Sequence, residues 1–243
     1  MSLIDLANPT KFLALTARAL PRLAAVTAVL LAIGLYQSAM APGDYQQGAT
    51  VKIMFIHVPN AWLSMFAWAV MSAAALGTLV WRHPLADAAA KAAAPIGASF
   101  TFLALVTGSL WGRPMWGTYW EWDARLTSEL ILFLMYLGLM ALWRAVEDPA
   151  RAARAAAVLT LVGAINLPII KFSVDWWNTL HQPASVFRTG GPTLDRAFLI
   201  PLLVMALAFT LLFATLHLAA MRNEILRRRV RSLQMMQASQ KAA

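Results

Sequence analysis

Four long stretches of the chain contain no charged side chain, and they constrain the fold more strongly than any other feature of the sequence. Residues 23–43, 53–81, 92–112 and 197–221 each run for 21 residues or more without Asp, Glu, Lys or Arg. A helix needs roughly 20 mostly apolar residues to cross about 30 Å of hydrocarbon. We therefore predict that each stretch spans a membrane.

Two shorter apolar segments, residues 126–143 and 155–170, raise the predicted number of spans to six. Lipid provides no hydrogen-bond partner for an unpaired backbone, so every span must be helical. We expect an all-α, polytopic membrane protein that forms a single integral membrane domain over residues 1–243. Its predicted spans cover residues 23–41, 60–81, 94–111, 126–143, 155–170 and 197–220.

The first span has one feature of a secretory signal peptide, because Ala39-Met40-Ala41 resembles a small-residue cleavage site. Its apolar stretch is longer than the usual core of a signal peptide, so we expect a retained helix. With six spans, both termini then lie on the same side of the membrane.

Lysine and arginine are distributed unequally between the two sides of the predicted domain. The side with both termini carries 14 basic residues against 5 acidic ones, whereas the other side has 6 of each. Cytoplasmic segments hold the excess of Lys and Arg, so both termini are predicted to be cytoplasmic. We attribute the formal net charge of +9 to this topology, with the Arg-rich C-terminal tail lying near anionic lipid. We do not interpret the charge as a sign of nucleic-acid binding.

The predicted periplasmic connections are residues 44–59, 112–125 and 171–196, and the second is unusually rich in aromatic rings. Counting Trp111 at the end of the preceding span, four Trp and one Tyr fall within the 12 residues 111–122. A membrane-interface belt needs one or two such anchors at each helix end, whereas a platform for a large flat ligand needs several rings with polar groups. The density favours the platform, and the belt is the alternative. The loop reads Trp116-Gly117-Thr118-Tyr119-Trp120-Glu121-Trp122-Asp123-Ala124-Arg125.

The two flanking connections each contribute one histidine, His57 and His181. Neutral imidazole is a good iron ligand, so two histidines beside an aromatic platform would suit haem with two axial histidines. If the segment around His181 is a short interfacial helix, Trp177 lies on the same face of it. The alternative is that each histidine is an interfacial hydrogen-bonding residue. His83 and His217 are predicted at the cytoplasmic face, where each would interact with the end of a helix. The alternative is that they bind a second haem between them.

A few other polar residues lie in or beside the predicted spans. Glu129 is expected near the periplasmic surface, paired with Arg125, because a charge at mid-membrane costs about 2.5–3.5 kcal/mol. Arg113 and Arg125 are alternative partners for haem propionates, since Arg pairs well with carboxylates. Asn166 and Pro168 are predicted to kink the fifth span, with Asn166 satisfying freed backbone groups.

The chain has no cysteine, and this excludes several kinds of site. Disulfides, iron–sulfur clusters and covalent haem attachment through CxxCH all require Cys. The sequence also contains no nucleophile–base pair and no nucleotide-binding loop. We therefore predict a protein that is not an enzyme.

The loop from Trp116 to Arg125, continued by Leu126 and Thr127, resembles the tryptophan-rich WWD signature of haem-handling membrane proteins. The length, the six spans and the single histidine in each flanking connection are similar to the cytochrome c maturation protein C family (CcmC), also called haem exporter protein C. The resemblance covers nearly the whole chain. Neither the motif nor the two histidines departs from the family pattern.

The resemblance implies that His57 and His181 are the axial ligands of haem iron. It implies haem b bound non-covalently, as transient cargo, and passed to a periplasmic haem chaperone, CcmE. It also implies a bacterial inner-membrane location beside the small membrane protein CcmD and the ABC transporter subunits CcmA and CcmB. The remaining implied haem contacts are Trp116, Tyr119, Trp120, Trp122, Asp123, Arg125 and Trp177.

Two other functions remain open from the sequence. A transmembrane b-type cytochrome, transferring electrons in a quinone-linked pathway, would need haem ligands stacked through the membrane. The four histidines instead divide two and two between the predicted faces. A solute permease without haem is the second alternative, and it would be colourless when purified.

Reporter fusions test the predicted orientation. Fusions after Lys91 and Arg154 should report cytoplasm, and fusions after Asp44 and Arg188 should report periplasm, because Lys and Arg concentrate on the cytoplasmic side. A periplasmic signal from the Lys91 fusion would place the aromatic loop on the wrong side of the membrane.

Overall fold

The computed structural model describes residues 8–177, 179–182 and 185–242, and α-helices make up most of these ranges. A 3-10 helix, Ala49–Ile53, leads directly into the second α-helix. No β-strand occurs in the described ranges, so the predicted all-α fold is confirmed. The α-helices are α1 Pro9–Met40, α2 Met54–Leu79, α3 Ala86–Trp116, α4 Ala124–Ala145, α5 Pro149–Gly163, α6 Asn166–Trp176 and α7 Arg196–Ala242.

Six segments of the described chain are long and apolar enough to cross a membrane, as predicted. Most helices extend past the predicted spans. The apolar part of a helix matches the thickness of the hydrocarbon layer, and the helix itself can continue beyond that layer. The predicted domain and its third connection include residues 1–7, 178, 183–184 and 243, which lie outside the described ranges. The six segments are Pro9–Met40, Ala49–Leu79, Ala86–Trp116, Ala124–Ala145, Pro149–Trp176 and Arg196–Lys241.

The first connection is shorter than predicted. Helix α2 begins at Met54, so His57 lies in the first turn of a helix and not in an irregular loop. A tight turn precedes this region, in which Asp44 Oδ1 accepts the backbone N–H groups of Gln46 and Gln47, both at 2.9 Å. The turn lets the chain reverse direction between α1 and the 3-10 helix.

A short turn from Gly117 to Asp123 joins α3 to α4. Gly117 has a φ of 78° and ends α3 in the left-handed conformation that glycine adopts without a side-chain clash. Asp123 is the N-cap of α4, and its Oδ1 accepts the N–H of Leu126 at 2.7 Å. The aromatic loop is therefore held between two defined helix ends.

The interior of the bundle is built around α2. Trp68 and Tyr136 are fully buried, with their rings in a T-shaped contact at 4.8 Å between centroids. The Tyr136 hydroxyl donates to the Ser64 carbonyl at 2.7 Å, and Trp68 Nε1 donates to the Thr160 carbonyl at 3.0 Å. Both polar groups are thus satisfied where neither water nor lipid can do so. These bonds connect α2 to α4 and α5.

The fifth span is interrupted, as predicted from Asn166 and Pro168. Helix α5 ends at Gly163 and α6 begins at Asn166. The buried Asn166 side chain donates to the carbonyl of Ser128 in α4 at 2.8 Å. The Asn166 side chain therefore links the interrupted span to α4. It does not bond to the freed backbone groups of its own span, as the sequence had suggested.

A methyl group at Gly97 should destabilise the bundle. A Cβ at this position would lie 2.4 Å from the Tyr136 ring and hydroxyl, which are themselves fixed by the bond to Ser64. Overpacking of this kind costs about 1–3 kcal/mol. Gly138→Ala is the matched control, because a Cβ at Gly138 meets nothing within 4 Å. Unfolding in detergent should show a loss for Gly97→Ala alone, and equal stability of the two variants would contradict this packing.

Candidate functional site

Both predicted site histidines pack against the last turns of α3. His57, in the first turn of α2, has its ring 5.7 Å from the ring of Trp111. His181, in the connection after α6, has its ring 4.8 Å from the ring of Trp116. The two histidines that the sequence singled out therefore both lie against the same end of α3, beside aromatic residues five positions apart.

Helix α3 holds His57 through one ring nitrogen. His57 Nδ1 lies 3.1 Å from the Ala104 carbonyl and 3.1 Å from Thr107 Oγ1. The Thr107 hydroxyl donates its own hydrogen to the Leu103 carbonyl at 2.6 Å, so it acts as an acceptor toward His57. This network assigns the proton to Nδ1 and leaves the lone pair on Nε2. A Cβ on Gly108 would lie 2.9 Å from His57 Cε1, so glycine permits this close approach.

His181 is held by a carboxylate. Its Nδ1 lies 3.2 Å from Asp123 Oδ2, and its backbone N–H donates to Thr179 Oγ1 at 3.1 Å. The Thr179 hydroxyl in turn donates to the same Asp123 oxygen. The Asp123 side chain is only 4% exposed. As in His57, the hydrogen bond places the proton on Nδ1 and leaves Nε2 available as a ligand.

The environment fixes the charges of this pair at neutral pH. Burial alone would raise the pKa of Asp123, but hydrogen bonds from Thr179, the Leu126 N–H and His181 outweigh it and lower the pKa. Burial and the nearby Arg125 charge lower the pKa of His181 below its ordinary value of 6.5, although Asp123 opposes them. The site therefore contains an ionised aspartate and a neutral imidazole.

Arg125 lies one residue into α4 and interacts electrostatically with both histidines. Its charge is also attracted by Glu129, Asp123 and Asp175. The Arg125 guanidinium forms no hydrogen bond and no direct salt bridge with any of residues 8–177, 179–182 and 185–242. The direct ion pair with Glu129 that the sequence suggested is therefore absent from these ranges, and the guanidinium remains available to an anionic ligand.

The other aromatic residues of the predicted platform contact one another, an arginine or an apolar groove. Trp120 and Trp122 contact each other with ring centroids at 5.4 Å, and they border an apolar groove of about 580 Å³ between α3 and α4. Tyr119 is exposed and lies 5.5 Å from the Arg113 guanidinium. In the part of the chain that the structure describes, these rings make no ring contact with His57 or His181.

The short interfacial helix that would align Trp177 with His181 does not form in the described residues. Helix α6 ends at Trp176, and Trp177 is extended, with a ψ of 156°. Residues 179–182 are not helical. The i, i+4 alignment of Trp177 with His181 therefore does not form, and Trp177 instead contacts Trp176 at 5.7 Å between ring centroids.

His83 and His217 lie at the opposite end of α3. His217 Nε2 is 2.9 Å from the Ala89 carbonyl, and His83 Nδ1 accepts the N–H of Leu85 at 3.2 Å. Ala89 and Gly108 are separated along α3 by roughly 28 Å at the usual helical rise. These histidines therefore cannot share a ligand with the pair at the other end.

Comparisons with known proteins decide the family. Residues 2–236 match the family described as "Heme exporter protein C". Heme exporter protein C of Bradyrhizobium diazoefficiens is 88% identical over 242 residues, covering 100% of this chain and 92% of that protein. The proteins of the same name from Escherichia coli K12 and Paracoccus denitrificans are 49% and 47% identical, covering 93% and 96% of this chain and 91% and 97% of theirs. The chain belongs to the heme exporter protein C family.

Several residues that support the histidines in this family member were not identified from the sequence. Thr107 and Gly108 contact His57, and Thr179 binds both Asp123 and His181. Gln47 Oε1 accepts the indole N–H of Trp111 at 2.9 Å. Small and polar residues of this kind are common in helices and loops, so only their packing reveals the role.

Glu129 is more deeply buried than predicted. It is 8% exposed, and its Oε1 has no hydrogen-bond partner among the described residues. Asn60, one helical turn before Ser64, is fully buried and also has an unpartnered side-chain oxygen. A polar region therefore extends from the histidine pair into the bundle.

Replacing Glu129 should separate the role of its charge from that of its size. Glu129→Gln should be neutral or stabilising, because it keeps the volume of the side chain without burying a charge. Glu129→Ala should cost about 1–3 kcal/mol, because it removes buried side-chain atoms and leaves a cavity. Unfolding in detergent measures both. A Gln variant as unstable as the Ala variant would show that the attraction between ionised Glu129 and Arg125 is essential to the fold.

Proposed function

We propose that this protein handles haem during cytochrome c maturation, binding it non-covalently through His57 and His181 and delivering it to a periplasmic haem chaperone. The observation that supports this best is the pairing of the two histidines at one end of α3. Each imidazole engages the protein through Nδ1, and no described residue hydrogen-bonds its Nε2. Family membership supports the same function.

The donor set suits haem iron. Metal-ligating histidines usually donate their other N–H to a carboxylate or a backbone carbonyl, which fixes the ring and its tautomer. His181 does this with Asp123 and His57 with the Ala104 carbonyl. Both rings are thus prepared to present Nε2 to one iron. Two imidazoles from different elements would produce six-coordinate haem.

The remainder of the site suits the other parts of haem. The Arg125 guanidinium interacts electrostatically with both histidines and has no hydrogen bond to a described residue, and it would pair with a propionate. Trp116 and Trp177, together with the Tyr119, Trp120 and Trp122 rings of the WWD loop, would contact the face and edge of the macrocycle. Burying about 200 Å² of haem contributes on the order of 5 kcal/mol. The chain has no cysteine to attach haem b covalently, so the cargo can leave.

The same proposal places the protein in its system. It is a transport component and not an enzyme, and it works in the bacterial inner membrane with the histidine pair facing the periplasm. The chaperone CcmE receives the haem, beside CcmD and the ABC subunits CcmA and CcmB. Support comes from family membership and from the six apolar segments.

Single His→Ala variants test the site, with two histidines as matched controls. His57→Ala and His181→Ala should each change the Soret spectrum of the purified protein and stop cytochrome c assembly, because six-coordinate low-spin haem needs both imidazoles. His83→Ala and His217→Ala should keep the wild-type spectrum, because both lie at the other end of α3.

Haem content, Soret position and delivery to the chaperone should be compared across the four proteins. Equal damage from all four would favour a two-haem cytochrome. Damage confined to His83→Ala and His217→Ala would overturn both the site and the orientation. A colourless wild-type protein would favour a permease.

A further inference from the structure

We propose that the two histidines are unequal ligands: His181, supported by Asp123, binds the iron more strongly, and His57 dissociates first when haem is released. This inference rests on the proposed function, because it assumes that both imidazoles bind the same haem. It adds an order to the release and gives Asp123 a positioning role.

The inequality begins with the acceptors of the two Nδ1–H groups. His181 donates to a carboxylate oxygen at 3.2 Å. His57 donates to neutral acceptors, a backbone carbonyl and a hydroxyl oxygen, each at 3.1 Å. Hydrogen bonds to an ionised acceptor are roughly twice as strong as those between neutral groups. A carboxylate also makes the imidazole more basic, and this strengthens its bond to iron.

Asp123 is fixed firmly enough to exert this effect. Its Oδ1 is used as the N-cap of α4 through the N–H of Leu126, and its Oδ2 is shared between His181 and the Thr179 hydroxyl. The side chain is almost completely buried, so water does not weaken the interaction. Among the described residues, no Lys or Arg forms a direct salt bridge with it, and its hydrogen-bond partners are the Leu126 N–H, the Thr179 hydroxyl and His181 Nδ1.

His57 is held in a different way. Its ring is in the first turn of α2 and lies against Gly108 and Trp111 of α3. A ring fixed between two helices cannot follow a ligand that moves out of the site. His181 lies outside the helices, so its segment is not subject to the same constraint. Position and ligand strength therefore both indicate that the bond to His57 breaks first.

Carbon monoxide is a suitable probe, because it replaces the weaker axial ligand of ferrous haem and its vibrational frequencies report on the ligand that remains. The full-length protein should be purified with haem, reduced and exposed to carbon monoxide. Asp123→Asn should shift the iron–carbon stretch in the resonance Raman spectrum, whereas Thr107→Val should leave it unchanged. Asparagine is a good N-cap, so Asp123→Asn keeps the start of α4 intact.

Two further measurements use the same proteins. Asp123→Asn should raise the midpoint potential of the haem and should accelerate its transfer to apomyoglobin about 10- to 100-fold, the usual effect of removing such a support. Thr107→Val should change both much less. His57→Ala should retain haem and form the wild-type carbon monoxide adduct, whereas His181→Ala should lose haem rapidly.

The outcomes distinguish this inference from the function on which it rests. If the two His→Ala variants lose haem at equal rates, or if only Thr107→Val shifts the iron–carbon stretch, the inequality is wrong although both histidines remain ligands. If neither His→Ala variant alters the haem spectrum, the proposed function fails as well. An unchanged midpoint potential in Asp123→Asn would also overturn the positioning role.

Discussion

The absence of hydrogen-bond partners in lipid is the constraint on which the rest of the structure depends. It forces the backbone into helices, so irregular segments and charged groups gather where the helices end. The carboxyl end of α3 is one such place. His57 approaches it from the first turn of α2, His181 from the connection after α6, and Asp123 from the start of α4. The site is thus an assembly of helix ends.

Inside the bundle, the same constraint explains the paired polar groups. Trp68, Tyr136 and Asn166 each donate to a carbonyl of another helix, so a bond that satisfies a buried side chain also fixes two helices together. Two buried oxygens without a partner among the described residues, Asn60 Oδ1 and Glu129 Oε1, lie on the helices that carry His57 and Arg125. The other unpartnered buried atoms are Gln37 Oε1, Trp120 Nε1 and Trp143 Nε1.

The sequence predicted the number of spans and the interruption at Asn166, because apolar length and helix-breaking residues are strong local signatures. It also singled out His57 and His181 by residue type, and their role as ligands stays a prediction. It did not predict that Asp123 supports His181, because that contact joins residues from α4 and the connection after α6. The ion pair of Arg125 with Glu129 was expected from i, i+4 spacing, and the alignment of Trp177 with His181 depended on a helix that the described residues do not form. Spacing along a helix cannot show what a third element contributes, and it cannot show where a helix ends.

The number of imidazoles bound to iron in the haem-loaded protein tests the proposed pair of histidine ligands most directly. Electron–nuclear double resonance of the ferric protein, with nitrogen-15 introduced only into histidine, counts these ligands. If His57 and His181 both bind the iron, the signal should be low-spin with coupling to two histidine nitrogens. A signal from a single histidine nitrogen, or a high-spin iron with a water ligand, would contradict the claim that His57 and His181 hold one haem between them.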